Sequence, residues 1–393
     1  QTKKDRLAGC SVLVGRKGGV VYFGSTGMAD KELGKPFQRD TIVRIFSMTK
    51  PVTTVAAMML YERGAFQLDD RVSKYLPEFA ETPVWKGGEI ENTEEQRTPM
   101  LVRHLMTHTS GLTYGFMQRN LIDESYRKER LEFQGDRETL EEAVKRLARV
   151  PLLCQPGSQW NYSVSTDVLG RLVEVWSGST LEEFMQKEIF GPLQMADTGF
   201  SVPEQNIERF SALYSPLYGS GGMGSIGLVS DENSQERSGL KLEESYIESD
   251  YFKPAGIFSG GGGLVSSIDD YSAFCQMLMN GGELNDQRLL GRKTVEHMRL
   301  NHLPDNRDMA AMGQPVWSET SYDGIGFGLG FAVVLDPAKA NIVASVGEHH
   351  WGGAASTFFW LDPLEDLFVV FFTQLIPSST YPIRRELRTR VYQ

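Results

Sequence analysis

The sequence lacks the features that define several large classes of protein. Its 393 residues include only three cysteines, Cys10, Cys154 and Cys275, which are odd in number and far apart. Such a set offers neither a disulfide framework nor a Cys-x-x-Cys metal site. No run of about 18 apolar residues occurs, so no segment is expected to span a membrane. Basic residues are also too few for a nucleic-acid or anionic-membrane partner, because the formal net charge is −11.

Targeting signals are equally scarce. No basic-then-apolar leader is visible in the first residues, so we expect a cytoplasmic protein. The sequence indicates no particular oligomeric state.

Three familiar site motifs are missing or incomplete. No Gly-x-Ser-x-Gly occurs, which excludes the nucleophile elbow of α/β-hydrolases. His104 and His108 have the spacing of zinc ligands, but Leu105 stands where the H-E-x-x-H motif has glutamate, which disfavours a metal site. The glycine-rich stretch 258–274 has neither a following lysine nor Rossmann spacing, and favours a helix start with a capping box. We therefore expect no metal and no organic cofactor.

The distribution of strand and helix patterns predicts an α+β fold. Residues 11–27 form a predicted hairpin, and strands are predicted over 328–336, 341–350 and 355–375, the last divided at "DPLED". Strands at both chain ends predict one antiparallel sheet flanked by helices. The middle of the chain is predicted to be helical at 139–150, 165–178 and 180–193.

We accordingly predict two structural units. Residues 1–70 and 215–393 would form the sheet-containing α/β sandwich domain, and residues 71–214 an inserted, mainly helical domain. The glycine- and serine-rich segment 218–239 is predicted to be a long loop over a site.

What is present is a serine and a lysine three residues apart at the head of an apolar stretch. In "FSMTK" (46–50), Ser47 and Lys50 would lie on one face of a helix, within hydrogen-bonding reach. A helix N-terminus stabilises a developing anion, and burial would lower the pKa of Lys50. The Ser-x-x-Lys spacing alone is weak evidence for catalysis, since the same spacing recurs in charged sequence at Ser125 and Lys128 and at Ser238 and Lys241. On the spacing alone, a helix cap beside a surface lysine is equally well supported.

Five stretches in order carry a resemblance to a known family. They are "FSMTK" (46–50), "LDDRVSKYLPEF" (68–79), "VRHLMTHTSGL" (102–112), "PGSQWNYSVSTDVLGRLVE" (156–174) and "HHWGGAAST" (349–357). Together they resemble the serine β-lactamase and penicillin-binding superfamily, and most closely its class C-like bacterial esterases, the family VIII carboxylesterases. The resemblance implies a β-lactamase-like fold with the active site between the sheet and the helical insertion.

The same resemblance implies roles for particular residues. Ser47 is the expected nucleophile, and Lys50 and Tyr162 are the expected proton-transfer pair, with the general base left open between them. The backbone N–H groups of Ser47 and Ala354 are expected to form the oxyanion hole. The remaining expected substrate contacts are Trp351, Gly352, Gly353, Val164, Tyr114 and His350.

Two departures from the β-lactamase pattern shape the expected substrate. Val164 stands where those enzymes usually carry asparagine, and Trp351-Gly352-Gly353 stands where they carry Lys-Thr-Gly. An apolar wall and a missing cation suit a neutral ester better than a carboxylated β-lactam. Paired glycines would also let a substrate approach the backbone.

The resulting interpretation is a serine carboxylesterase with a small-molecule ester substrate. It would hydrolyse short-to-medium acyl esters through an acyl-serine, with room for weak β-lactamase side activity. The alternatives are a class C-type β-lactamase or D-Ala-D-Ala peptidase, and an acyltransferase to a bulky alcohol. A histidine-based mechanism using His349 or His350 is a minor alternative, and a non-catalytic binding protein is the least supported.

Overall fold

A computed structural model describes residues 2–131, 133, 138–217, 239–245, 247–313 and 322–393. The strands are β1 (Gly9–Arg16), β2 (Gly19–Asp30), β3 (Lys35–Pro36), β4 (Val43–Arg44), β5 (Val84–Trp85), β6 (Thr93–Glu94), β7 (Leu213–Pro216), β8 (Leu240–Glu244), β9 (Val265–Ser266), β10 (Glu283–Leu284), β11 (Gln287–Arg288), β12 (Ile325–Phe327), β13 (Ala332–Val334), β14 (His349–Gly352), β15 (Phe358–Asp362) and β16 (Leu367–Thr373). The α-helices are α1 (Thr49–Glu62), α2 (Val102–Met106), α3 (Leu121–Lys128), α4 (Leu140–Leu147), α5 (Ser165–Ser177), α6 (Leu181–Met185), α7 (Gly191–Leu193), α8 (Ile268–Met279), α9 (Arg292–Met298), α10 (Met309–Met312), α11 (Pro337–Ala340) and α12 (Ile383–Val391).

The main sheet joins the two ends of the chain. Its eight strands run in the order β12-β13-β14-β15-β16-β1-β2-β3, and all neighbours are antiparallel. The first strand pairs with the last, with Val12 opposite Phe371. The predicted antiparallel sheet flanked by helices and built from both chain ends is therefore confirmed.

Helices cover both faces of this sheet. On one face of the sheet, β1 and β16 pack against α8. On the other face, the indole N–H of Trp360 donates to the hydroxyl of Tyr392 at 3.2 Å, and Tyr392 is the residue directly after α12. Every residue of β16 is buried. That double burial explains why "LFVVFFT" reads as a continuous apolar run instead of an alternating one.

The predicted helices of the middle segment are present, with one correction. The helix α5 ends where Gly178 adopts a φ of +73°, a conformation that glycine accepts without a Cβ penalty. The predicted helix 180–193 is interrupted, because a π-helical turn at Gln186–Phe190 separates α6 from α7.

The strand predicted at 341–350 is also shorter than expected. It begins only at His349, because Asn341 ends α11 with a φ of +54° and Gly347 turns the chain with a φ of +86°. Residues 218–238 of the predicted loop lie outside the described residues. Within the described part of the chain, no helix combines the length and apolarity needed to cross a bilayer.

Candidate active site

The segment that carries Ser47 is a tight turn leading into a buried helix. Residues Phe46–Met48 form one 3₁₀ turn directly before α1. Phe46 has a φ of +43°, a strained value for a bulky residue, which fixes the direction in which the next residue leaves the turn. Every residue of α1 from Thr49 to Leu60 is buried, so the helix is anchored in the core. Ser47 itself is partly exposed and thus accessible.

Both predicted partners of Ser47 reach its hydroxyl. The Tyr162 hydroxyl donates to Ser47 Oγ at 2.6 Å, and Lys50 Nζ lies 3.3 Å from the same oxygen. Tyr162 stands 115 positions away in the chain, just before α5. The structure thus brings together the three residues that sequence reasoning selected.

Lys50 is held in a buried, largely uncharged environment. Its Nζ lies 2.6 Å from the Gly261 carbonyl and 2.9 Å from the Tyr114 hydroxyl, in addition to Ser47. Burial lowers the pKa of Lys50 to about 7, and the negative charge of Asp167 opposes that effect. A lysine with this pKa exists in both forms near neutral pH and can accept a proton.

Asp167 is a buried carboxylate that supports the loop holding Lys50. It accepts hydrogen bonds from Ser259 Oγ at 2.6 Å and from the Gly261 N–H at 3.0 Å. A Cβ at Gly261 would lie 2.3 Å from Asp167 Oδ2, so only glycine lets this loop approach the carboxylate. Burial raises the pKa of Asp167, whereas the charge of Lys50 and these hydrogen bonds lower it. Gly261 therefore links the carboxylate, through its N–H, to the lysine, through its carbonyl.

Tyr162 is surrounded by aromatic rings. Its ring centroid lies 5.4 Å from that of Trp351, 5.2 Å from that of Tyr114 and 4.9 Å from that of His108. Burial raises the pKa of Tyr162, and the hydrogen bond to Ser47 opposes that rise. The Tyr162 hydroxyl therefore stays protonated at neutral pH, as its hydrogen bond to Ser47 Oγ requires.

The end of strand β14 lies against the Ser47 turn. A Cβ at Gly353 would lie 2.3 Å from the Ile45 carbonyl oxygen and 2.2 Å from Thr357 Oγ1. At Gly352 it would lie 2.4 Å from an Arg384 nitrogen. These glycines therefore make room for the protein's own atoms, and the expectation that they also let a substrate approach the backbone stays a prediction.

Ala354 follows this strand and is partly exposed. Its N–H has no acceptor among the described residues, whereas the N–H of Gly353 donates to Thr357 at 2.9 Å. An available N–H beside the Ser47 turn is what an oxyanion hole requires.

Two expected substrate contacts, Val164 and His350, lie differently from the prediction, and a third, Tyr114, also contacts Lys50. Val164 has no exposed surface and so presents no wall to a ligand. His350 points to the face of β14 opposite Trp351, with its ring 5.7 Å from Phe358 and its Nδ1 3.4 Å from Glu348, because neighbouring strand residues alternate in direction. Tyr114, also buried, contacts Lys50 directly.

The two histidines with zinc-ligand spacing do not converge. His104 Nδ1 accepts from the Leu101 N–H at 3.2 Å, and His108 Nδ1 lies 3.2 Å from Ser163 Oγ. Among the described residues, no group of three or more His, Cys, Asp or Glu side chains is arranged to hold a metal ion.

Sequence reasoning missed Asp167, Gly261 and the contact of Tyr114 with Lys50. The only signal for Asp167 was an acidic residue in the first turn of a predicted helix, a position that the helix dipole alone also explains. Gly261 was one of four consecutive glycines, and no local pattern distinguishes it from its neighbours.

Comparisons with known proteins bear on the family and the fold. The profile of the family described as Beta-lactamase matches residues 1–392. Protein Rv1367c of Mycobacterium tuberculosis is 33% identical over 379 residues, which cover 95% of this chain and 87% of that protein. Esterase EstB of Burkholderia gladioli is 30% identical over 410 residues, covering 99% of this chain and 92% of the esterase.

A solved structure extends the likeness to three dimensions. The structure of EstCE1, a hydrolase with promiscuous acyltransferase activity, superposes with a TM-score of 0.78 at 29% identity, covering 100% of this chain and 95% of EstCE1. The resemblance and the β-lactamase-like fold that the sequence predicted are confirmed.

Proposed function

This chain belongs to the beta-lactamase family, and within that family we propose that it is a serine carboxylesterase acting on small neutral esters through an acyl-Ser47 intermediate. The hydroxyl of Ser47, held at 2.6 Å by Tyr162 and at 3.3 Å by Lys50, is the observation that carries the proposal.

The surroundings of Lys50 suit a neutral amine, which favours it as the general base for acylation. A neutral amine has two N–H donors and one lone pair, and Lys50 has two neighbours that accept, the Gly261 carbonyl and the Tyr114 hydroxyl. The third neighbour, Ser47, can donate its own proton to the lone pair. Burial keeps this amine neutral in a large fraction of molecules near pH 7.

Acylation then follows from these positions. Ser47 transfers its proton to Lys50 while its oxygen forms a bond to the ester carbonyl carbon. The N–H groups of Ser47 and Ala354 stabilise the oxyanion. As the tetrahedral intermediate collapses, Tyr162 protonates the departing alcohol and recovers a proton from Lys50.

Deacylation uses the same groups in reverse. Water gives up a proton to the Lys50–Tyr162 pair and attacks the acyl carbon, and the proton returns to Ser47 as the acid leaves. An alcohol that takes the place of water would make the protein an acyltransferase, a second candidate that the promiscuous acyltransferase activity of EstCE1 favours.

The residues at the end of strand β14, beside Ser47, favour an esterase over a β-lactamase. Trp351 and Gly352 offer neither the lysine cation nor the hydroxyl that the Lys-Thr-Gly pattern would direct at a substrate carboxylate. Trp351 instead places an indole 5.4 Å from the Tyr162 ring, so an apolar group faces the reacting ester.

The test compares a chromogenic butyrate ester with a chromogenic cephalosporin. Ser47→Ala should lower kcat/KM for the ester by at least a thousandfold, and the wild type should prefer the ester. Ser125→Ala is the matched control, because Ser125 and Lys128 share the motif spacing in α3, where the Lys128 side chain is exposed, and it should keep wild-type activity. Retained ester hydrolysis in Ser47→Ala would refute the assignment of the nucleophile.

A further inference from the structure

A cavity of about 860 Å³ lies outside the proposed active site, since its lining includes none of Ser47, Lys50 and Tyr162. This volume falls within the range of roughly 300–1,000 Å³ that small-molecule sites occupy. The lining residues come from three parts of the chain, 84–109, 153–159 and 302–304, and they include two residues of helix α2, Arg103 and His104. The proposed reaction gives this cavity no role.

His104 contributes a buried N–H donor to the wall of this cavity. Its Nδ1 accepts from the Leu101 N–H at 3.2 Å, so the proton of the neutral ring is on Nε2. Burial and, to a lesser extent, the charge of Arg103 lower the pKa of His104 to about 4, so the ring is neutral at pH 7. The Nε2 atom lies beside the lining residue Gly157, where a Cβ would be 3.2 Å away, and has no hydrogen-bond partner among the described residues. A donor in a residue that is only 9% exposed requires an acceptor, which a ligand in the cavity would supply.

The lining also carries one positive charge in excess, in a chain whose formal net charge is −11. Its charged residues are Glu94, Arg97 and Arg103. The Glu94 carboxylate accepts from Arg97 at 2.9 Å and from Gln155 Nε2 at 2.8 Å, so the first two charges compensate each other. The guanidinium of Arg103 is exposed and has no ion-pair or hydrogen-bond partner in the part of the chain that the structure describes. Burial lowers the pKa of the lining residue His302, and the charge of Arg103 adds to this effect, which places the guanidinium near a second ring of the wall.

The remaining lining narrows the class of anion that would bind. Its apolar members are Val84, Trp85, Leu153, Pro156 and Pro304. An inorganic anion would leave this apolar surface without a contact, whereas a carboxylate on an apolar body would use both parts of the cavity. A guanidinium also matches the two oxygens of a carboxylate. We propose that this cavity binds a small organic carboxylate, with its oxygens on Arg103 and the His104 N–H and its body on the apolar wall. The inference goes beyond the proposed esterase activity and does not depend on it.

Calorimetric titration with 2-naphthoate and its neutral analogue 2-naphthamide tests the role of the charge. The wild type should bind the carboxylate at least about tenfold more tightly than the amide, because only the carboxylate forms charge-assisted hydrogen bonds. Arg103→Gln should raise Kd for 2-naphthoate about tenfold and leave Kd for 2-naphthamide within about twofold, and Arg103→Lys should restore part of the loss. Arg149→Gln is the matched control, because Arg149 is also an exposed arginine without an ion-pair partner among the described residues and does not line the cavity. It should keep the wild-type Kd for both compounds.

Filling the cavity tests the location of the ligand. Leu153→Trp places an indole on its apolar wall and should weaken the binding of both compounds at least about tenfold. No binding of 2-naphthoate to the wild type, or an unchanged Kd in Arg103→Gln or in Leu153→Trp, overturns the proposal. Inorganic phosphate that binds as tightly as 2-naphthoate overturns the part assigned to the apolar wall. Failure of the proposed function is distinct, because binding in this cavity requires no hydrolysis by Ser47.

Discussion

The protonation of Lys50 should set the acid limb of the pH–activity profile. Burial lowers the pKa of Lys50 from its usual 10.5 to about 7. At pH 7 the neutral base is then present in about half of the molecules, instead of roughly 1 in 3,000 for an ordinary lysine. For a neutral ester, kcat/KM should rise about tenfold per pH unit below pH 7 and level off above it.

Removing the Asp167 charge should move this limb to lower pH. Asp167 stabilises the ammonium form of Lys50, so Asp167→Asn leaves the amine neutral at lower pH. Lys50 Nζ lies 2.6 Å from the Gly261 carbonyl oxygen, and the Gly261 nitrogen lies 3.0 Å from Asp167 Oδ1. With the length of one residue between these two contacts, the amine and the carboxylate are at most about 9 Å apart. At that separation and an effective dielectric constant of about 20, the interaction of two unit charges is roughly 2 kcal/mol, which a pH profile detects easily.

The measurement is kcat/KM for p-nitrophenyl butyrate from pH 5 to 9 in wild type, Asp167→Asn and Asp270→Asn. Asp270 is a matched control, because it is also buried and accepts from one hydroxyl, Thr198, and one backbone N–H, Asp197. Its variant should keep the wild-type inflection. A wild-type profile that still rises about tenfold per pH unit up to pH 9, or an Asp167→Asn inflection at the wild-type pH, would refute the reasoning.

Two further predictions concern strand β14. His350→Ala should keep kcat/KM within about twofold of wild type in the folded protein, whereas Trp351→Ala should alter it at least tenfold, since the two side chains point to opposite faces; equal losses would contradict the assigned faces. Gly353→Ala should lower both kcat/KM and the thermal midpoint much more than Gly352→Ala. The methyl group at position 353 meets the fixed Ile45 backbone oxygen, whereas that at position 352 meets the end of the Arg384 side chain, which has several rotatable bonds. Calorimetry together with ester kinetics on the purified variants measures both differences, and similar losses in the two glycine variants would contradict this contrast.

Much of the fold could be predicted because its patterns are local. The segments 11–27 and 355–375 each contain two strands separated by a turn of a few residues, so each hairpin is visible in a short stretch of sequence. The pairing of the N-terminal with the C-terminal hairpin follows once both ends of the chain are predicted to be strands. Helix limits were predicted well where a glycine ends the helix, as Gly178 does. The interruption at Gln186–Phe190 had no such marker, since its residues suit a regular helix as well.

The candidate site was predictable only where resemblance supplied distant partners. Spacing alone places Ser47 beside Lys50, but Tyr162 is 115 positions away and Gly261 is 211 positions from the lysine. Which residues of β14 face the site depends on how this strand pairs with β13 and β15, which the local sequence does not determine. For this reason the sequence-based assignment placed His350 on the face toward the site, whereas its ring lies on the opposite face of the strand. Long-range packing, rather than local pattern, decided these points.

The same packing distinguishes the Ser-x-x-Lys motif to which we assign the chemistry from its copy at Ser125 and Lys128. Lys128 is 71% exposed and pairs with Glu124 at 2.7 Å, so water and a carboxylate both stabilise its ammonium form. The Lys50 amine has the opposite surroundings: it contacts the Gly261 carbonyl, the Tyr114 hydroxyl and Ser47 Oγ. The carboxylate of Asp167 does not contact the amine directly, because Gly261 lies between them. That arrangement costs folding free energy, yet it keeps the amine able to accept a proton near neutral pH. The basicity on which the proposed reaction depends is therefore a property of the buried environment, to which Asp167 and Gly261 contribute as directly as the motif itself.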